Sequence, residues 1–282
     1  MLVCEHVEQL RLELDAHRRA GRTIAFVPTM GNLHEGHLQL VRLAKSNADV
    51  VVASIFVNPL QFGLNEDWEK YPRTFDADCA QLDGEGCDYL LYPNERDVYP
   101  NGMSLQTRVI VPAMTDILCG ASRPGHFEGV TTIVAKLFNM VQPDKAIFGI
   151  KDFQQLAVIR KMTEDLCLPI EIIAAPIARA DDGLALSSRN GYLTSIERPI
   201  AAEVYRSLQL AKHALECGRR DFHQIEHESQ QHLVAHGMRI DYLSIRRVDD
   251  LEPATASDRN VVILVAVFLG NTRLIDNLQV AI

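Results

Sequence analysis

Short apolar runs alternate with amphipathic stretches through the first 175 residues. The runs at 23–29, 50–57, 89–92, 146–150 and 170–175 are nearly free of charge, the mark of strands buried on both faces. Val130, Ile133, Val134, Leu137, Phe138 and Val141 recur at i, i+3, i+4, which predicts a helix over 129–141 that Gln142-Pro143-Asp144 ends. A second helix is expected from about 151, with Leu156, Ile159, Met162 and Leu166 on one stripe and Pro169 blocking its continuation. Strands alternating with helices predict a parallel sheet with crossover helices. After Pro176 the texture changes. A polar loop with Asp181-Asp182-Gly183 leads to helical patterns over 195–217 and 221–236, then to strand-like segments at 241–248 and 260–269. No long helix separates those two segments, so they are expected to pair antiparallel. The expected fold is α/β: a Rossmann-like parallel-sheet domain over 1–177 followed by a smaller α+β domain over 178–282.

Composition narrows the class of partner. The 282 residues are enough to bury a large core, and 47% hydrophobic with 23% charged residues excludes wholesale disorder. With 28 Lys+Arg against 37 Asp+Glu the formal charge is −9, which argues against nucleic acid or an anionic membrane as the main partner. An anionic ligand must then be held by locally placed donors. The longest apolar run, 261–269, falls far short of the roughly 20 residues a spanning helix needs. Glu5, Glu8, Arg11, Glu13 and Asp15 interrupt the start of the chain, so no secretory signal is laid out and a cytoplasmic protein is expected. Cys4, Cys79, Cys87, Cys119, Cys167 and Cys217 show no C-x-x-C spacing and read as reduced, small hydrophobes.

The segment richest in chemistry is Phe26-Val27-Pro28-Thr29-Met30-Gly31-Asn32-Leu33-His34-Glu35-Gly36-His37. It reads as strand, glycine-bearing turn and helix start. Such a turn is expected to expose backbone N–H groups, and the helix N-terminus adds partial positive charge, so phosphate is favoured there. His34 and His37, three apart, fall on one side of the first helical turn, where both can donate to one phosphate chain, and Gly36 leaves room between them. Taken alone, two histidines near a turn mean little; the strand-to-helix switch gives them weight. A zinc protease motif would need a histidine at Leu38, and neither a P-loop nor G-x-G-x-x-G is present.

Further segments fit the same reading. In Phe148-Gly149-Ile150-Lys151-Asp152-Phe153-Gln154-Gln155 a strand again gives way to a helix, Lys151 offers a point charge and Gln155 a neutral amide; an exposed helix start would look similar. Leu186-Ser187-Ser188-Arg189-Asn190 combines two hydroxyls with a guanidinium, suited to a phosphate clamp, although a solvated turn has the same composition. Asn58, Pro59 and Gln61 follow a buried strand, where amides point into the crevice of a doubly wound sheet, although structural capping of the strand by Asn58 accounts for the same residues. Arg123-Pro124-Gly125-His126-Phe127 either helps neutralise phosphate or is an ordinary helix-entry loop.

Together these segments resemble the pantothenate synthetase family, the pantoate–β-alanine ligases of the nucleotidyltransferase superfamily. The resemblance runs through 28–37, 56–62, Tyr71-Pro-Arg-Thr74, 123–127, Lys136-Leu-Phe-Asn139, 151–155, 187–190 and Thr272-Arg-Leu-Ile-Asp-Asn277. It implies a nucleotidyltransferase-type Rossmann domain with a C-terminal lid domain, in a homodimer. It also implies ATP-dependent condensation of pantoate with β-alanine through an enzyme-bound pantoyl adenylate, with release of AMP and pyrophosphate. Carried over by position, Met30, Gly31, Asn32, Leu33, His34, Glu35, Gly36 and His37 contact ATP, and so do Gly149, Ile150, Lys151, Asp152, Ala178, Leu186, Ser187, Ser188 and Arg189. His37 takes a general-acid role, with His34 and Lys151 as the other catalytic groups. Gln61 and Gln155 hold pantoate, and Gln61 also lies near β-alanine. Mg2+ is expected to arrive on the ATP phosphates, without an assigned protein ligand, and no tightly bound prosthetic group is expected. Ala178, Leu186 and Ile150 depart from the family's usual Val, Met and polar residue, which bears on nucleotide affinity more than on reaction type.

The residue types suit adenylation. A carboxylate becomes an acyl electrophile only once one oxygen is made a good leaving group, and attack on the α-phosphorus builds charge on the oxygen leaving with pyrophosphate. Imidazoles, a lysine, two serines and an arginine can meet that charge. Neutral glutamines orient an acid without quenching it as a nucleophile. Two other functions fit the same residues: a nucleotidyltransferase that leaves the nucleotide on its product, and an idle nucleotide-binding module.

Overall fold

A computed structural model describes residues 1–63, 66 and 68–282. Six parallel strands form the larger sheet: β1 Leu2–Cys4, β2 Ile24–Thr29, β3 Val50–Ile55, β4 Tyr89–Leu91, β5 Lys145–Gly149 and β6 Glu171–Ala175. Their order is β1-β4-β3-β2-β5-β6. All six residues of β3 are buried, as an apolar strand covered on both faces should be. On one side Ala25, Val27, Val51, Ala53 and Ile147 share a core with Leu40, Val41 and Ala44 of the helix Glu35–Asn47. Strand β1 escaped the sequence reading because three residues at a sheet edge, with Leu2 exposed, carry no periodicity.

The strand order sets where a ligand can sit. Strands β3 and β4 lie on one side of β2, and β5 and β6 on the other, so the sheet switches direction between β2 and β5. Ala25 pairs with Lys145 and Phe26 with Ala146, an offset of 120 residues that sets Thr29 level with Gly149. Thr29 also pairs with Ile55. The segments following β2, β3 and β5 therefore leave three adjacent strands at the same end.

By its contacts the chain divides into two compact units, Met1–Ile150 with Val158–Pro176, and Lys151–Ala157 with Ile177–Ile282. In the second unit β7 Arg239–Arg247, β8 Asn260–Leu269 and β9 Thr272–Ala281 form an antiparallel sheet in that order. Val204, Leu208 and Leu215 of the helix Glu203–Glu216 and Ile225 and Leu233 of the helix Phe222–Ala235 pack with Ile263, Val265 and Leu274. The sequence reading missed β9, whose Arg273, Asp276 and Gln279 interrupt its apolar pattern. The single helix expected over 195–217 is two, Glu197–Ile200 and Glu203–Glu216. Pro199 brings no N–H to the ladder, and i→i+3 bonds from Val204 to Ala201 (3.2 Å) and Tyr205 to Ala202 (3.1 Å) tighten the chain between them.

The helix expected over 129–141 begins at His126, after Gly125 in the left-handed region (φ +80°). It presses closely on the turn Pro59–Gln61. A Cβ at Gly129 would stand 2.3 Å from the Leu60 carbonyl oxygen and 2.7 Å from Gln61 Cα. An alanine inside an ordinary helix gains about 0.5–1 kcal/mol over glycine. Here Gly129→Ala is expected to lose about 1–3 kcal/mol, as overpacking against backbone does. Urea unfolding checks the sign, and a neutral or stabilising result refutes the contact.

Candidate active site

The turn after β2 is held by a buried carboxylate. Gly31 and Asn32 both take positive φ (+78° and +50°), which turns their amides away from the strand. Asp78, 2% exposed, accepts from Asn32 N at 2.9 Å and Leu33 N at 2.8 Å, and from Thr74 Oγ1 at 3.1 Å. A Cβ on residue 31 would lie 3.0 Å from Asp78 Oδ2, so the position requires glycine for space as well as for φ. Gly31 N donates to Thr29 Oγ1 at 3.2 Å.

The two histidines then cap the helix Glu35–Asn47 reciprocally. His34 is its N-cap, and its Nδ1 accepts from Gly36 N at 3.1 Å. His37 Nδ1 accepts from His34 N at 3.3 Å. The rings stand 4.1 Å apart, centroid to centroid. A ring nitrogen that accepts from a backbone N–H carries no proton, so both imidazoles are neutral with the proton on Nε2. This corrects one expectation: the amides of Gly31, Asn32, Leu33, His34 and Gly36 are not exposed for an anion but are bonded within the protein.

Gln61 follows β3 in the 3₁₀ turn Pro59–Gln61, and its amide is held at both ends. Its Oε1 accepts from Asn58 Nδ2 at 3.1 Å, and its Nε2 donates to Met30 Sδ at 3.1 Å. Asn58 is buried, with Nδ2 also on the Gly129 carbonyl (3.1 Å) and Oδ1 accepting from Tyr99 Oη (2.7 Å). Burial pushes the Tyr99 hydroxyl up, which keeps it a donor. Behind the turn, His126 Nδ1 donates to the Gln61 carbonyl at 2.8 Å while its Nε2 accepts from Arg123 Nη1 at 2.9 Å. Arg123 grips Glu66 with two bonds of 2.5 and 2.6 Å. Burial raises the Glu66 carboxyl, but the hydrogen bond and charge of Arg123 outweigh it and the net shift is downward.

In the second unit a small hairpin organises the remaining polar groups. Leu186 N bonds the Ala178 carbonyl at 2.9 Å, and Arg179 bridges antiparallel to Ala185. Arg179 pairs with Asp276 of β9 through Nη1 at 2.6 Å and Nη2 at 2.9 Å, and its guanidinium lies 3.8 Å from the Tyr205 ring centroid. Burial pushes the Asp276 carboxyl up, against the hydrogen bonds and charge of Arg179. The next residue of β9, Asn277, donates to the Lys151 carbonyl at 2.9 Å. Ser187 caps the 3₁₀ turn Ser188–Tyr192, its Oγ accepting from Arg189 N at 3.3 Å.

A family model described as Pantoate-beta-alanine ligase matches residues 2–279. The chain belongs to this family. The chain is 59% identical over 282 residues to the pantothenate synthetase of Cellvibrio japonicus, covering all of both chains. It is 57% identical to that of Saccharophagus degradans, covering all of this chain and 99% of the other. Among solved structures, pantothenate synthetase from Thermus thermophilus superposes with a TM-score of 0.94 at 42% identity over the whole of both chains. The pantoate-beta-alanine ligase of Francisella tularensis, solved in complex with β-γ ATP and β-alanine, gives 0.82 at 33% identity over 99% of this chain and 97% of that one.

For this ligase-family chain, the first unit brings Met30, Gly31, Asn32, Leu33, His34, Glu35, Gly36 and His37 together with Gln61 at the ends of β2 and β3, while Gly149 and Ile150 leave the neighbouring β5. In the second unit Ala178 and Leu186 are paired, and Ser187, Ser188 and Arg189 continue from them. Lys151 and Asp152 occupy the turn Ile150–Asp152, and Gln155 lies in the first turn of the helix Phe153–Asp165. Of the two readings of 123–127, the structure favours the loop that supports its surroundings: Arg123 is engaged by Glu66 and His126 by the Gln61 backbone. Sequence reasoning missed Asp78, Glu66 and the Arg179–Asp276 pair, while the capping reading of Asn58 matches its acceptance from Leu60 N at 3.3 Å. An unmet need for acceptors at a Gly-Asn turn was a signal for Asp78; the others join segments far apart in the chain.

Two measurements test this scaffold. Asp78→Asn keeps the shape but turns a donor toward one of its amide partners, and a buried unpaired N–H costs about 1–3 kcal/mol. Faster hydrogen exchange at Asn32 and Leu33 with lowered stability is expected; unchanged protection refutes the clamp. Glu66, with its folded carboxyl depressed, adds stability above the ordinary value of about 4.3 and loses it as pH falls through the folded value. The stability gap between the parent chain and Glu66→Gln should accordingly be full at neutral pH and close under acid, and a pH-independent gap counts against the ion pair.

Proposed function

We propose that this chain condenses pantoate with β-alanine to pantothenate at the expense of ATP. In the first step a pantoate carboxylate oxygen bonds to the α-phosphorus as the bond to the pyrophosphate oxygen breaks. In the second, the β-alanine nitrogen bonds to the acyl carbon of pantoyl adenylate as AMP leaves. The observation that carries the reading is the pair of neutral, Nε2–H imidazoles fixed at the switch point of the sheet, beside the clamped amide of Gln61, in a chain of this family.

The residue roles follow the chemistry. His37 and His34 donate from Nε2 to phosphate oxygens on which charge accumulates, His37 in the general-acid position, and Lys151 adds a point charge. Residues 30–37 and Gly149 to Asp152, with Ala178 and Leu186 to Arg189, bind ATP. Gln61 and Gln155 orient pantoate, and Gln61 also meets β-alanine. Residues 1–177 thus carry nucleotide and pantoate, and 178–282 supply further phosphate contacts. Mg2+ is proposed to come bound to the ATP phosphates. The nearby carboxylates support this, because Asp78 is taken up by amides, Glu66 by Arg123 and Asp276 by Arg179. We further propose a cytoplasmic homodimer; among the described residues no helix is long and apolar enough to cross a membrane.

Exchange of labelled pyrophosphate into ATP, run with pantoate and without β-alanine, tests the adenylate directly. Exchange is expected, with AMP appearing only once β-alanine is added; active protein showing neither refutes the reading. Replacing His37 by alanine should lower exchange roughly 100- to 1000-fold, as loss of an aimed donor does. Near-normal exchange in a folded His37→Ala protein removes His37 from its role.

A further inference from the structure

Away from the strand ends, three side chains of the second unit direct ligating atoms at one point. Glu203 opens the helix Glu203–Glu216, His232 lies in the last turn of the helix Phe222–Ala235, and His236 caps that helix one turn later. The i, i+4 spacing puts both imidazoles on one face, with centroids 4.5 Å apart. His232 Nε2 is 2.9 Å and His236 Nε2 3.8 Å from the same oxygen, Glu203 Oε2, and one ligand atom from each residue lies within 4.8 Å of the others. Bonds of 2.0–2.1 Å in a tetrahedron separate ligand atoms by about 3.3 Å. The observed spacings straddle that value.

The surrounding bonds aim these groups as metal ligands are aimed. His236 Nδ1 is 2.7 Å from the His232 carbonyl oxygen and donates to it, which fixes the ring with Nε2 turned toward the carboxylate. The other carboxylate oxygen, Oε1, takes a hydrogen bond from Arg206, which fixes the plane of Glu203. Glu203 is 8% exposed, whereas the His232 and His236 side chains are 26% and 39% exposed, so the point where they meet opens to water on one side.

We propose that Glu203, His232 and His236 bind one divalent transition-metal ion of the zinc class, with water as fourth ligand, joining the ends of two helices. Two imidazoles and one carboxylate suit zinc or cobalt and not the all-oxygen preference of magnesium or calcium. On binding, the proton on His232 Nε2, now directed at Glu203, is released, the neutral ring carries its one proton on Nδ1, and the Nε2 lone pair bonds to the metal. No electron transfer is involved. The site is separate from the proposed ligase chemistry and does not depend on it.

Calorimetric titration of the untagged, chelator-treated full chain with Zn2+, and visible absorption on titration with Co2+, test the site. One equivalent of each metal is expected, with the cobalt spectrum of a four-coordinate site and no displacement by excess Mg2+. His236→Ala, at a partly exposed helix end, is expected to weaken binding at least about 100-fold, the upper end of the loss seen even for outer partners, in a chain whose circular dichroism shows it folded. His232→Ala should do the same, while His213→Ala, on the first helix but outside the cluster, should leave affinity unchanged. Absence of stoichiometric binding overturns the proposal and leaves a plain ion pair. Binding that persists in His236→Ala overturns it equally, by placing the metal elsewhere.

Discussion

The carboxylate of Asp78 satisfies two amides of a turn that bends through two successive positive-φ residues, and the placement of both imidazoles follows from that bend. Without an internal acceptor, the Leu33 N–H would be buried and unpaired, at a cost of about 1–3 kcal/mol, a sizeable share of a domain's net stability. The acceptor comes from the helix Phe75–Gly84, which is thereby tied to the end of β2. Gly31 completes the arrangement, since a side chain there would strike the oxygen that holds the turn.

This constraint decides what kind of anion site the turn would make under the proposed function. In a glycine-rich phosphate loop the backbone amides themselves point at the ligand. Here the amides are spent on fixing the loop, and the helix N-terminus delivers its donors one step removed, through histidines that cap it. A capping histidine that accepts at Nδ1 is neutral and carries a single proton, on Nε2. In the proposed role it would offer direction to a triphosphate without adding a full positive charge. Gln61 follows the same logic: an amide clamped by Asn58 and Met30 is oriented before any ligand arrives, so less ordering is required on binding.

Much of this was legible in the order of residues. Five of the six parallel strands announced themselves as short apolar runs, and the pairing of β7 with β8 followed from the lack of a helix between them. The segment 26–37 read correctly as strand, turn and helix start, because glycine and capping residues mark such switches locally. What could not be read was non-local. Asp78 looks like any acidic residue in a first helical turn until the fold brings it, 46 residues away, to Asn32. The turn's amides read as exposed for the same reason: the sequence shows the donors but not the distant acceptor. Strands β1 and β9 were lost to shortness and to polar interruptions, where periodicity fails as a signal.

The disposition of charge explains how an acidic chain can accommodate a polyanionic substrate. At formal charge −9 the mean field opposes ATP, so local arrangement must reverse it. In each unit the carboxylates near the predicted site residues are already neutralised: Glu66 by Arg123 and Glu35 by Arg42 in the first, Asp276 by Arg179 in the second. These arginines are consumed by the pairing and are not the phosphate donors that their chemistry suggests. Under the proposed function the burden falls on neutral N–H and O–H donors, on Arg189 and on Lys151, whose charge is shared with the more exposed Asp152 at 3.7 Å. In that role such groups would strengthen their bonds as charge moves onto the leaving oxygen, and tighter binding of the transition state than of the ground state is what accelerates a reaction.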